Sequence, residues 1–285
     1  MAEVWAASDI DTGMDVAVKS VNGAPDSLAA QRLRREASVT ASITHPGVVG
    51  VRGVGDERDR TFMVMDLLPG DDLARVLAAG PLPLPRALEV TAGVAEALRA
   101  VHRTGVVHGD VKPANVMVAD EHSTLIDFGI ASDSSGWGEG TSYGTTASMA
   151  PEQVTGEPVT PAADMYGLGG TIFAAISART VFPLQSPSEV MQHHARATPP
   201  RLSDLVIGVP PRLDALVAAL LAKNPADRPG AAEVAETLTA LLSAPAVRLQ
   251  SAPLTATPVP PQPHLDPAGT QPMLAVGAER LNDAA

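Results

Sequence analysis

Short runs of β-branched residues, each bounded by Gly, Asp or Arg clusters, mark the beginning of the chain. Three of them, at residues 15–21, 47–54 and 61–68, have the length and composition of β-strands. A polar, Arg-rich segment at residues 25–42 separates the first two runs and predicts one helix between strands. The chain is therefore predicted to open with a small sheet that carries one inserted helix.

Beyond Pro69 and Gly70 the apolar residues recur at helical spacing instead. Residues 210–222 and 231–243 are Ala/Leu-rich and predict further helices. The apolar stretch at residues 165–178 predicts a buried core helix, because it is shorter than the roughly 20 residues that span a bilayer. No membrane segment is therefore expected. The clearest helical series consists of Ala87, Val90, Val94, Ala97, Leu98 and Val101.

The composition changes again at residue 244, where Pro, Ala, Thr and Gln begin to dominate. Such a stretch buries too little apolar surface to offset the entropy of ordering its backbone. We therefore predict a folded domain at residues 1–243 and a disordered Pro/Ala-rich tail at residues 244–285. The sheet lobe would take about residues 1–69 and the helical lobe about residues 70–243, with a ligand crevice where they join.

Charge and cysteine content narrow the classes of partner and location. The chain carries 32 acidic and 20 basic residues, a formal net charge of -12, so no broad basic face is expected and nucleic acid is excluded as an expected partner. The absence of cysteine excludes disulfides and thiolate metal sites, and it fits a reducing interior. No basic segment followed by an apolar run opens the chain, so we expect no secretory signal and a cytoplasmic location.

Two short motifs carry the chemistry. Residues 110–115 read Asp-Val-Lys-Pro-Ala-Asn, and residues 127–129 read Asp-Phe-Gly. An isolated Asp before Lys-Pro is compatible with a capped turn. The full spacing followed by Asp-Phe-Gly is much harder to obtain by chance, and it supplies a base and hard oxygen ligands to one cleft. The two motifs resemble the catalytic loop and the metal-binding turn of the eukaryotic-like Ser/Thr protein kinases of bacteria.

The resemblance implies an α+β, two-lobed protein-kinase fold and a role for each motif residue. Asp110 would orient the substrate hydroxyl and take up its proton, and Lys112 would neutralise charge on the transferred phosphoryl group. Asn115 and Asp127 would hold Mg²⁺, for which Mn²⁺ could substitute. The implied reaction transfers the γ-phosphoryl group of ATP to a Ser or Thr hydroxyl of a protein, and this chain could be its own substrate. Ser or Thr is the expected acceptor because Lys112 stands at the catalytic-loop position where Ser/Thr-directed kinases carry a lysine.

The same resemblance assigns other residues to the nucleotide. Lys19 ends a Val-Ala-Val-Lys run and would hold the α- and β-phosphates, while Glu36 would fix its ammonium group. A lone strand lysine is more often a solvated surface group, but four further motifs follow here in the family order. An apolar residue at one of the adenine-binding positions is, by itself, more often a core residue than a ligand contact. The adenine set is Val4, Ala17, Met65 as gatekeeper, Asp66 and Leu68 through their backbone groups, and Met117.

Three further contacts are implied as scaffold. Glu152, in an Ala-Pro-Glu sequence, would pair with Arg228, and Asp164 would brace the backbone of the catalytic loop from the core helix. His108 would pack beneath Phe128. Losing one partner of a buried ion pair costs roughly 3–5 kcal/mol, so substitutions of these residues are expected to affect folding before chemistry.

The start of the chain departs from the family pattern. Residues 1–5 resemble only the second half of the usual Gly-x-Gly-x-x-Gly loop, so the sheet lobe is expected to lack its first strand and leading glycines. Because the backbone amides of such a loop cradle phosphates, weaker ATP binding and an unpaired sheet edge are expected. An alternative function is therefore open, a pseudokinase that acts as a binding or scaffold module. A second alternative is a small-molecule kinase of this fold, but residues 144–145 and 150–152 resemble the peptide platform of protein kinases.

Gly109 stands where most family members carry an arginine that pairs with a phosphate on the activation loop. This difference predicts that activity depends little on phosphorylation of that loop. The substrates are expected to be proteins with Ser or Thr acceptors, and a homodimer is left open. The candidate phosphorylation sites on the loop are Thr141, Ser142, Thr145 and Thr146.

Overall fold

The computed structural model describes residues 2–120, 122–129, 146–183 and 186–244, together with Val247 and Leu254. The first lobe is an antiparallel sheet with strand order β1-β2-β4-β3 and one helix. Ser27 caps this helix, because its side-chain oxygen accepts a hydrogen bond from the backbone N–H of Ala30. The elements are β1 (Glu3–Ser8), β2 (Asp15–Asn22), α1 (Leu28–Ala41), β3 (Val51–Glu57) and β4 (Arg60–Asp66).

The sheet buries one face against α1. Side chains alternate along a strand, so two residues paired in register lie on the same face. Ala17 is paired with Met65 and Lys19 with Met63, and both methionines are buried in a cluster with Leu33 of α1. The same alternation therefore directs Lys19 towards α1 rather than towards solvent.

The second lobe is mainly helical. Single 3-10 turns at Pro113–Asn115 and Pro225–Asp227 lie between its longer elements. The elements are β5 (Asp71–Asp72), α2 (Leu73–Leu77), α3 (Leu84–Arg103), β6 (Val116–Val118), β7 (Ser123–Leu125), α4 (Pro151–Thr155), α5 (Pro161–Ser177), α6 (Pro187–Arg196), α7 (Leu202–Leu205), α8 (Pro211–Leu220) and α9 (Ala231–Leu242). Nearly all residues of α5 are buried, and α3 packs against it, so the apolar stretch that predicted a core helix is the interior of this lobe.

The observed elements have the predicted α+β, two-lobed arrangement, but two strands differ from expectation. The strand predicted at residues 47–54 begins only at Val51, because the residues before it bond to the other lobe. Leu125 N–H donates to the carbonyl of Gly47 at 2.8 Å, and Val49 N–H donates to the carbonyl of Leu125 at 3.1 Å. Residues 3–8 form a strand that hydrophobicity did not indicate, because all its side chains are exposed and no alternation marks it.

The predicted tail is described at only three positions. Val247 is buried in the core of the second lobe, and Ala244 and Leu254 pack against that core. The other residues of the tail lie outside the described part of the chain, so the disorder predicted for them stays a prediction. Among the helices described, none combines the length and the apolar character needed to cross a bilayer.

Candidate active site

Two polar residues of the 110–115 motif, Lys112 and Asn115, converge on the carboxylate of a third, Asp110. Lys112 Nζ lies 2.8 Å from Asp110 Oδ2, and Asn115 Nδ2 donates to the same oxygen at 3.0 Å and to the Asp110 carbonyl at 2.8 Å. The 3-10 turn that begins at Pro113 makes this possible, because it folds Asn115 back and joins its N–H to the carbonyl of Lys112 at 2.9 Å. Asp110 is therefore held in one orientation by an amide and a cation from its own loop.

The backbone in front of Asp110 is fixed by Asp164 of α5, as predicted. Asp164 is almost fully buried, and its carboxylate accepts from the N–H of His108 at 2.9 Å and from the N–H of Gly109 at 2.7 Å. The Nε2 atom of His102, from α3, contacts the same carboxylate at 2.7 Å. Asp164 thus has three hydrogen-bonding partners. The resemblance implied the two contacts with the loop and not the contact with His102.

His108 lies against Phe128, as the resemblance implied, with ring centroids 4.5 Å apart. Burial lowers the pKa of His108, although Asp164 and Asp110 oppose this shift, so the ring is neutral. Its two nitrogens then have distinct roles. Nε2 donates to the carbonyl of Ile126 at 3.1 Å, and Nδ1 accepts from the N–H of Asp110 at 3.3 Å. His108 is thus a structural link between the two motifs.

The Asp-Phe-Gly turn is brought beside the catalytic loop by backbone bonds. Ile126 N–H donates to the carbonyl of Asn115 at 3.0 Å, and Gly129 N–H donates to the carbonyl of His108 at 2.7 Å, so Asp127 lies between two residues bonded to the loop. Asp127 has a left-handed backbone, with φ at 55°, a conformation that costs about 1–2 kcal/mol for a residue other than glycine. Gly129 is required for the close approach, because a Cβ on it would lie 2.9 Å from the Cβ of Asp110.

Lys19 connects the two lobes through two carboxylates. Its Nζ atom lies 2.7 Å from Oε1 of Glu36 and 3.0 Å from Oδ1 of Asp127. Burial alone would lower the pKa of Lys19, but the charges of Asp127 and Glu36 outweigh it, and the pKa is raised. Lys19 is therefore a protonated cation, as a phosphate-binding lysine must be.

The residues predicted to surround adenine are distributed over both lobes. Ala17, Met65 and Leu68 contribute to one apolar cluster of the first lobe. Val4 is paired in register with Lys19 and is half exposed, and Met117 lies half-buried on β6, directly beyond the catalytic loop.

Two polar groups of Asp66, at the end of β4, are already bonded. Its N–H donates to the carbonyl of Gly50 at 2.9 Å, and its carboxylate pairs with Nε of Arg52 at 2.7 Å. Both of these groups therefore already have a partner within the first lobe. The roles of these adenine-site residues stay predictions.

The activation segment, residues 127–152, ends at Glu152, which forms the buried ion pair with Arg228 that the resemblance implied. Arg228 donates to Oε1 of Glu152 at 2.6 Å and to Oε2 at 2.8 Å, and the two side chains are 0% and 2% exposed. Arg228 also donates to three backbone carbonyls, those of Ala162, Ala222 and Lys223. The pair fastens α4 to the interior of the second lobe.

Two residues at the site had no signal in the sequence. His102 lies on the last turn of α3, where its helical position predicts nothing about Asp164. Gln153 follows Glu152 and bonds to both Ala150 and the catalytic loop. Of the candidate phosphorylation sites, Thr146 is buried, and Thr141, Ser142 and Thr145 lie outside the described residues, as does Gly144.

Comparisons with known proteins show the family of this chain. The family model for the protein kinase domain matches residues 1–238. Serine/threonine-protein kinase PkaA of Streptomyces coelicolor is 39% identical over 250 residues, which are 84% of this chain and 45% of that protein. Serine/threonine-protein kinase PknH of Mycobacterium tuberculosis is 35% identical over 235 residues, 80% of this chain and 38% of that protein. This chain thus spans less than half the length of these two curated relatives.

A solved structure shares the fold. The crystal structure of the Mycobacterium tuberculosis PknI kinase domain, a double mutant, superposes with a TM-score of 0.66 and 27% sequence identity. The match covers 85% of this chain and 91% of that one, so it includes both lobes.

Proposed function

This chain belongs to the protein kinase family, among the eukaryotic-like Ser/Thr kinases of bacteria, and from this premise we propose that it phosphorylates Ser or Thr residues of proteins with ATP. The observation that carries the proposal is the convergence of Lys112 and Asn115 on the carboxylate of Asp110. Proteins that carry Ser or Thr acceptors are the proposed substrates. We place the reaction in the cytoplasm, since the cysteine-free chain fits a reducing compartment.

The general base of the proposed reaction is Asp110. Its Oδ2 atom is held by Lys112 and Asn115, so the carboxylate is presented in one orientation to an incoming hydroxyl. It would orient that hydroxyl and take up its proton as the oxygen attacks phosphorus. Lys112, beside the same carboxylate, would balance the charge that develops on the transferred group.

The donor set fits Mg²⁺ and a nucleotide. Asp127 supplies a carboxylate, and because Nδ2 of Asn115 donates to Asp110, its amide oxygen is turned away from that residue and can bind a cation. Mg²⁺ prefers oxygen ligands and is usually held by one or two protein groups plus substrate phosphates. Among the described residues no group of three His, Asp or Glu side chains could hold a metal alone, so phosphate oxygens would complete the shell.

Magnesium-bound ATP would supply the phosphoryl group and an in-line leaving group whose charge the metal neutralises. The chain's own residues position it. Lys19 lies between Glu36 and Asp127, and its ammonium group would hold the α- and β-phosphates against the same aspartate that binds the metal. Ala17, Met65 and Leu68 would contact the adenine from the first lobe.

Phosphate incorporation from labelled ATP and Mg²⁺ tests the proposal directly, with the chain itself and a generic protein as acceptors. We expect label on Ser or Thr, lost in Asp110→Asn and in Lys19→Ala. Asp59→Asn, an exposed carboxylate in the turn between β3 and β4, is the matched control and should leave incorporation unchanged. Equal incorporation by Asp110→Asn would refute the assigned base. Folded wild-type chain that binds nucleotide without incorporation would favour the pseudokinase alternative.

A further inference from the structure

We propose that Gln153 is a positioning residue, which orients the peptide unit directly in front of Asp110 and so joins the catalytic loop to the end of the activation segment. The inference rests on the proposed kinase function. It adds a contact that holds the peptide unit before Asp110, the proposed base. Gln153 lies on α4, next to Glu152, and is buried.

Both ends of the Gln153 amide are used. Its Oε1 atom accepts from the N–H of Ala150 at 2.9 Å, and its Nε2 atom donates to the carbonyl of Gly109 at 2.8 Å. The partners determine which way the amide is turned, because the reverse orientation would place oxygen against the Gly109 carbonyl and nitrogen against an N–H group. The side chain therefore bridges the two segments rather than filling space between them.

The carbonyl that Gln153 holds belongs to the same planar peptide unit as the N–H of Asp110. Gly109 has a left-handed backbone with φ at 80°, and without a Cβ it is free to rotate more widely than other residues. Asp164 holds the N–H of Gly109, but this contact lies on the previous peptide unit. Between described residues, the peptide unit that leads into Asp110 also has the longer bond from Asp110 N–H to Nδ1 of His108, at 3.3 Å, against 2.8 Å for the bond from Gln153.

The contact also explains how the loop can be aligned without a phosphate. A cationic side chain at position 109 would pair with a phosphate on the activation segment. Gly109 has no side chain and cannot form such a pair. The neutral amide of Gln153 reaches the loop from α4, and α4 is itself fastened by the pair of Glu152 and Arg228. The end of the activation segment is thereby coupled to the peptide unit before Asp110 through the neutral side-chain amide of Gln153.

Two substitutions isolate the contact. Gln153→Met keeps the volume of the side chain and removes both hydrogen bonds, and Gln153→Asn keeps an amide that is too short to reach both partners. Gln31→Met is the matched control, since the exposed amide of Gln31 on α1 also donates to a backbone carbonyl, that of Asp26 at 2.7 Å. All three variants are compared with wild type by kcat, KM for ATP, nucleotide affinity and hydrogen exchange of the amides of residues 107–112.

We expect both Gln153 variants to lower kcat about tenfold, with KM for ATP and nucleotide affinity within about twofold of wild type. Exchange of the amides around Asp110 should become faster, and Gln31→Met should change neither quantity. A kcat within about twofold of wild type in the Gln153 variants, with unchanged exchange, would overturn the inference. If wild type shows no turnover, the proposed function fails, and the exchange comparison still decides whether Gln153 holds the loop.

Discussion

Replacing either residue of the buried ion pair between Glu152 and Arg228 should lower the free energy of unfolding, and the two losses should differ in size. In Glu152→Gln, Arg228 keeps its three backbone carbonyl acceptors, and the amide oxygen can still accept one bond. In Arg228→Met, the Glu152 carboxylate is left in an interior where its side chain is 2% exposed, and three carbonyls lose a donor. The arginine substitution should therefore be the more damaging one.

Breaking a buried ion pair from one side costs about 3–5 kcal/mol. We assign about 3 kcal/mol to Glu152→Gln and about 5 kcal/mol to Arg228→Met, because each buried polar group left unpaired adds roughly 1–3 kcal/mol. A domain of this size loses about 2–4 °C in Tm per kcal/mol, so the expected decreases are roughly 6–12 °C and 10–20 °C. The double variant should be no less stable than Arg228→Met, since the second change removes the stranded charge.

Thermal and urea unfolding followed by circular dichroism measure these differences. Glu96→Gln serves as the matched control, because the Glu96 carboxylate pairs with Arg99 at 3.0 Å where both side chains are about 40% exposed. It should cost less than about 0.5 kcal/mol. Additive losses in the double variant, or a larger loss in Glu152→Gln than in Arg228→Met, would refute the reasoning.

Two other outcomes are expected. Phosphatase treatment should leave kcat within about twofold of its earlier value, because Gly109 offers no cation to a phosphorylated loop; a loss that rephosphorylation reverses would contradict this. Burial, assisted by Lys223, lowers the pKa of His194 to about 3 from 6.5, so the unfolded state binds more protons between these values. The free energy of unfolding should therefore decrease as pH falls from 6.5 towards 3. Urea titrations at several pH values should show a weaker decrease for His194→Phe. Equal slopes of unfolding free energy against pH in variant and wild type would contradict the role given to His194.

Much of the site was predictable because its parts are close in the chain. The resemblance implied one shared site for Asp110, Lys112 and Asn115, and a single 3-10 turn folds the 110–115 motif back so that they meet. The strand alternation likewise directs Lys19 inward. By contrast, β1 has no buried face, and its pairing with β2 could not be recognised from hydrophobicity.

The sequence by itself determined the family, through the resemblance of its short motifs, and the order of sheet before helices, through hydrophobic periodicity. The roles of the motif residues in the chemistry stay predictions. The resemblance also implied the distant contact of Asp164 with the loop before Asp110. Only the tertiary structure showed that His102 and Gln153 take part as well. His102 meets Asp164 across 62 residues, and Gln153 meets Gly109 across 44. A buried hydrogen-bonding group takes whichever partner the packed backbone brings within about 3 Å, and sequence distance carries no information about that proximity.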